Sequence, residues 1–208
     1  MENCVCPSAA AIPDLLDPTC PENLGQIVRF IFQRQGQFIA ATTAAAKLLA
    51  TYTPLTIAVD DTKIQFTPGL FEGLVIPPGE AITEGGDDNS TPLGRKLVVG
   101  AGTISVEAML RNVQSAAIAA MRAFGCEDLS ISFINEFGEI AYQTITAGVD
   151  VGKLQGFPVH AFFIGDKGAE GKNTQDKAKL TFGLDAGWRD NIVLVKPTDF
   201  DPRFVKFA

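Results

Sequence analysis

Side chains able to do chemistry are few and badly spaced for it. Four cysteines stand at Cys4, Cys6, Cys20 and Cys126, and His160 is the single histidine. Zinc takes four ligands, usually from paired cysteines with two to four residues between them; Cys4-Val5-Cys6 has only one between and no second pair. The three early cysteines read as thiols of an extended arm, with a structural metal or a late disulfide as the alternatives. Any Ser-His-Asp or Cys-His mechanism would have to run through His160. It lies in Phe157-Pro158-Val159-His160-Ala161-Phe162-Phe163-Ile164, which reads as a buried strand holding a satisfied histidine.

The glycine-rich stretch Gly165 to Thr174 invites comparison with a phosphate loop but has the wrong spacing. Asp166 stands where the first glycine belongs, and Asn173 replaces the hydroxyl that would hold magnesium. It reads as a charged connector, with Lys167 and Lys172 able to reach a neighbouring subunit. Asp87, Asp88 and Asn89 offer oxygens without the alternating ladder that converges on calcium, so they read as a solvated loop tip. Asp185, Asp190, Asp199 and Asp201 read as turn-formers. No pair of acids sits in a recognisable acid–base frame. The expectation is a non-enzymatic protein with no cofactor, no metal and no catalytic residue.

The elements that must carry these residues follow from patterning. The chain has 208 residues, is 46% hydrophobic and carries a net charge of −7. Such a length buries a core without disulfides or metals, and a surface of that sign is a poor grip for nucleic-acid phosphates. No apolar run is long enough for a membrane helix, and the basic-then-apolar pattern of a secretory leader is missing, so a cytosolic site of synthesis and no membrane partner are expected.

Residues 1–25, rich in proline, read as an extended arm; 26–198 as one domain; and 199–208 as a C-terminal tail carrying Phe200, Phe204 and Phe207. Strands are expected at 26–34, 62–66, 97–106, 129–134, 139–145, 159–164, 178–184 and 191–195. A short threonine-capped helix is expected over 44–50, ended by Pro54. One amphipathic helix is expected over 105–124, capped by Ser105 and closed by Gly125. Asn135-Glu136-Phe137-Gly138 reads as a hairpin turn. Residues 69–94 read as a long irregular segment of the kind that serves function or assembly. Fifteen phenylalanines against two tyrosines and one tryptophan read as core and interface packing. The fold class is a β-rich α+β domain, an antiparallel β-sandwich or barrel with one flanking amphipathic helix.

Certain residues then carry a resemblance. Asp61-Thr62-Lys63-Ile64, Pro68, Gly85 to Gly94, Val98-Val99-Gly100 and Phe133 to Ile140 look like virion structural proteins of tailed bacteriophages. The stretch, within 60–145, is most similar to tail-tube or neck ring subunits of phages of Bacteroidetes-type hosts. That resemblance implies a tail-tube-like fold and six-fold or twelve-fold homo-oligomeric rings in the head–tail connector region. It also implies contact with neighbouring virion proteins, only transient passage of DNA, and assembly in the bacterial cytoplasm. Candidate subunit-interface residues are Cys4, Cys6, Cys20, Asp87, Asp88, Asn89, Lys167, Lys172, Phe200, Phe204 and Phe207. A capsid decoration or head-fibre protein, and a cytosolic small-molecule-binding β-sandwich, are the alternatives.

Overall fold

The computed structural model describes residues 23–71, 74–86, 95–111, 113–169, 171–172 and 175–206. Its strands are β1 (Ile27–Arg34), β2 (Gln65–Phe66), β3 (Leu70–Phe71), β4 (Ala81–Glu84), β5 (Leu97–Ala101), β6 (Ile104–Arg111), β7 (Leu129–Asn135), β8 (Ile140–Thr144), β9 (Leu154–Gln155), β10 (Phe157–Gly168), β11 (Lys177–Leu184) and β12 (Ile192–Val195). The helices are α1 (Leu49–Ile57) and α2 (Ser115–Ala123). Ten strands form one antiparallel sheet, and β4 with β5 form a separate two-stranded ribbon. The chain is therefore β-rich α+β, as its sequence indicates, with two helices among the described residues.

The sheet branches at β7. One edge of β7 pairs with β1 along its whole length. The other edge is divided: Leu129 to Ile131 pair with β10, and Phe133 and Ile134 with β8. Every residue of β7 is buried, which a strand achieves only when both faces are covered. Leu129, Ile131 and Phe133 enter a first core, and Ile134 a second on the opposite face.

The first core lies inside the curl of β1, β7, β10, β11 and β6. Phenylalanines dominate it: Phe133 stacks on Phe157 at 5.2 Å between ring centres, while Phe30 meets Phe182 edge-on at 5.7 Å. Trp188 closes the group edge-on against Phe157. Ile27 and Leu74 make a single antiparallel bridge across the gap, so the sheet curls without closing into a barrel. The second core packs α1 and the segment around Ile39 and Ala46 against Ile31, Ile134 and Tyr142.

Three expectations need correction. The helix expected over 105–124 is β6 followed by α2. In β6, Val106, Ala108 and Leu110 are buried and Ser105, Glu107 and Arg111 exposed, a period of two. The helical period begins only with Ile118 and Met121, α2 starts after Gln114 without a side-chain cap, and Gly125 sits in a 3-10 turn. The helix expected over 44–50 is a 3-10 turn, Ala45–Lys47, then α1, with Pro54 inside it. Thr42 does cap that turn, its hydroxyl accepting the Ala45 N–H at 3.1 Å. Finally, His160 is exposed. The register of β10 slips between His160 and Phe163, with Ala161 at a φ of 51°, and the bulge turns the imidazole outward. There it lies across Gly183, with Nδ1 3.6 Å from Asp185. A side chain at 183 would occupy the ring's place.

Candidate assembly surface

The ribbon gathers four exposed apolar side chains, Ile82, Leu97, Val98 and Val99. Ala81 faces Ala101, Ile82 faces Gly100, and after a register shift Thr83 faces Val98 and Glu84 faces Leu97. Every residue of β4 is exposed, and of β5 only Gly100 is partly covered. Ile82 is 52% exposed, Val98 71%, and Leu97 and Val99 each 49%. At its foot the Gly102 N–H donates to the Glu80 carbonyl at 2.7 Å. A Cβ at residue 102 would lie 3.3 Å from that carbonyl oxygen, so the two strands approach closely there, as Gly100 and Gly102 suggest in the sequence. A two-stranded ribbon without a covering layer is marginal in water, and β-branched residues on both of its faces pack on nothing of their own.

Beneath the ribbon lies a cleft of about 1040 Å³. Leu24, Ile27, Leu74 and Ile104 form its apolar floor, with Trp188 and Arg189 on one wall. Beside it Val75 is exposed. Ribbon, cleft and the Pro77-Pro78 turn form one surface, to which the irregular segment 69–94 contributes β4 and the turn, while β5 comes from the expected strand over 97–106.

The charged connector begins as strand over Gly165–Gly168. β10 runs to Gly168 and pairs with β11 as far as Lys177. Lys167 lies 3.8 Å from Asp176 across this hairpin, and Lys172 is exposed at its tip. An ion pair from Arg122 to Asp166 fastens the hairpin to α2.

The C-terminal segment folds back on the domain. Asp199 accepts the Leu49 N–H through both carboxylate oxygens, at 2.9 and 3.0 Å, and so caps α1. Phe200 packs edge-on against Tyr52 at 5.1 Å in the second core. Asp201 accepts the Arg203 N–H at 3.0 Å, the turn role expected of it, and the Arg203 guanidinium holds its carboxyl below the usual range. Phe204 is 73% exposed. Arg29, buried, donates to the Pro202 and Val205 carbonyls at 3.0 and 2.8 Å and to that of Thr67. Burial pushes its guanidinium pKa down from the ordinary value.

The expected interface residues are thus dispersed. Lys167 and Lys172 sit on one hairpin; Phe200 is intramolecular and Phe204 faces solvent. Cys4, Cys6, Cys20, Asp87, Asp88, Asn89 and Phe207 lie outside the described residues. The ribbon residues Ile82, Leu97, Val98 and Val99 were not among the expected ones, although Leu97-Val98-Val99 is an apolar run beside a long polar loop.

No family model matches the chain, and no curated protein does. Among solved structures the chain aligns with one from the cryo-EM structure of the anti-feeding prophage (AFP) baseplate, 6-fold symmetrised. The likeness is weak. It covers 85% of this chain and 97% of that chain at 9% identity, with a TM-score of 0.34. That score is too low to carry an assignment.

Proposed function

We propose that this chain is a non-enzymatic structural subunit of a phage-like particle, assembling with copies of itself through the β4–β5 ribbon. The observation that carries the reading is the ribbon, apolar on both faces and without a covering layer. A ring requires one surface of each subunit to meet a different surface of the next. The ribbon and the cleft that it lines supply one of these surfaces. The finer reading is a ring or tube of the tail or neck, six-fold or twelve-fold, bounded by neighbouring virion proteins. A net charge of −7 per subunit suits a conduit that lets DNA slide without gripping it.

Light scattering across concentration, followed by electron microscopy, tests this. The protein is expected to form a defined oligomer or rings as concentration rises. A Val98→Asp, Ile82→Ser variant, altered only at exposed positions, is expected to stay monomeric with an unchanged melting temperature. A wild-type chain that remains monomeric at every concentration and binds isolated capsids would favour the decoration reading. Oligomers untouched by the substitutions would remove the ribbon from the interface.

A further inference from the structure

The described residues begin at the cleft beneath the ribbon. Asn23 to Ile27 form one side of its lining, and this start is held in place. The Gln26 N–H donates to Glu136 Oε1 at 3.2 Å, and the Glu136 N–H donates to the Gln26 carbonyl at 2.8 Å. The Gly25 N–H donates to Asn23 Oδ1 at 3.1 Å. Twenty-two residues precede this point. Their bulkiest apolar group is Ile12-Pro13-Asp14-Leu15-Leu16. Proline fixes its own φ and disfavours the helical region for the residue before it, so Pro13, Pro18 and Pro21 predict an extended course. Seven steps separate Leu16 from Asn23, and an extended chain covers up to about 25 Å over that length. Folding back onto its own cleft runs against those restraints, whereas a neighbouring copy lies within reach.

The cleft and ribbon offer such a segment both kinds of contact a peptide makes. Val75 and Val98 belong to the lining and are 84% and 71% exposed, so an incoming aliphatic side chain meets them directly. Among the described residues β4 and β5 pair only with each other. Each therefore keeps an outer edge whose main-chain groups can pair with an added extended chain. Apolar pockets beside a free strand edge are how folded domains capture extended peptides.

We propose that residues 12–16 of one copy dock in the cleft and along the ribbon of the next, and so supply the second of the two different surfaces that a ring requires. This rests on the ribbon being an assembly surface. The test uses two full-length variants. Leu15→Asp, Leu16→Asp alters the segment and leaves the ribbon intact; Val98→Asp, Ile82→Ser does the reverse. Each alone is expected to lose assembly in light scattering, at concentrations where the wild type assembles, with an unchanged melting temperature. Mixed in equal amounts, they are expected to form dimers and nothing larger, because the intact segment of one fits the intact cleft of the other and no second working pair is left. Two results would overturn the docking while the ribbon reading stands: a segment variant that assembles like the wild type, or a mixture of monomeric variants that stays monomeric or grows beyond dimers. A ribbon variant that assembles, or a wild type that never does, would overturn both.

Discussion

Both tyrosines of the chain meet in the second core. Tyr142 donates its hydroxyl to Tyr52 at 2.5 Å, and Tyr52 donates to the Ala46 carbonyl at 2.7 Å, which gives each proton a place. Burial pushes both phenols well above the ordinary value near 10. Since the folded state holds these protons more tightly than the unfolded one, the stability they contribute is present below pH 10. It falls as pH rises above the unfolded value toward the raised folded one. Tyrosinate absorbance at 295 nm is therefore expected to stay flat past pH 10 and to rise only together with loss of far-UV dichroism. Growth of the signal in the folded protein near pH 10 would contradict the buried pair. A second residue of this kind is Gly156, where a Cβ would come within 3.0 Å of the Ile131 main-chain nitrogen. Backbone cannot yield as a side chain can, so Gly156→Ala is expected to cost about 1–3 kcal/mol in urea unfolding.

At the scale of elements, the sequence is legible where one period runs uninterrupted between turn residues. β1, β7, β8, β11 and β12 stand within one or two residues of their expected bounds, and the Asn135–Gly138 turn is where it was expected, Gly138 at a φ of 75°. Legibility fails where two periods abut. The apolar positions of β6 and α2 can be joined into a single helical stripe, because only Gln114 and its neighbours separate strand from helix. It fails again where a partner is distant: α1 starts at Leu49 because Asp199, 150 residues on, caps it. Asp199→Ala is expected to lower stability by about 0.5–2 kcal/mol, checked by urea denaturation, whereas Asp199→Asn should recover most of the loss. The candidate surface was half visible. Residues 69–94 stand out as irregular and glycine-rich, but that β4 within them pairs with β5 in a ribbon carrying exposed apolar residues depends on which strands the main sheet leaves unused.

For the whole molecule, the two cores share β1 and β7, so neither can be lost without exposing the other. Trp188, the single tryptophan, belongs to the first core and also lines the cleft beneath the ribbon. Its fluorescence therefore reports both folding and occupation of that cleft. If copies dock there, acrylamide quenching of Trp188 is expected to fall as the oligomer forms and to remain at the monomer level in the Val98→Asp, Ile82→Ser variant. The buried Arg29 has a different consequence, for synthesis. Its main-chain acceptors at Pro202 and Val205 are 173 and 176 residues downstream. At about 5–20 residues per second the guanidinium waits about 10–35 s for them. During that time the nascent chain holds an uncompensated cation on the strand that both cores share. Vectorial emergence thus postpones sealing of the second core until the last segment arrives, and a ribosome stalled before codon 202 would present β1 with its charge still exposed.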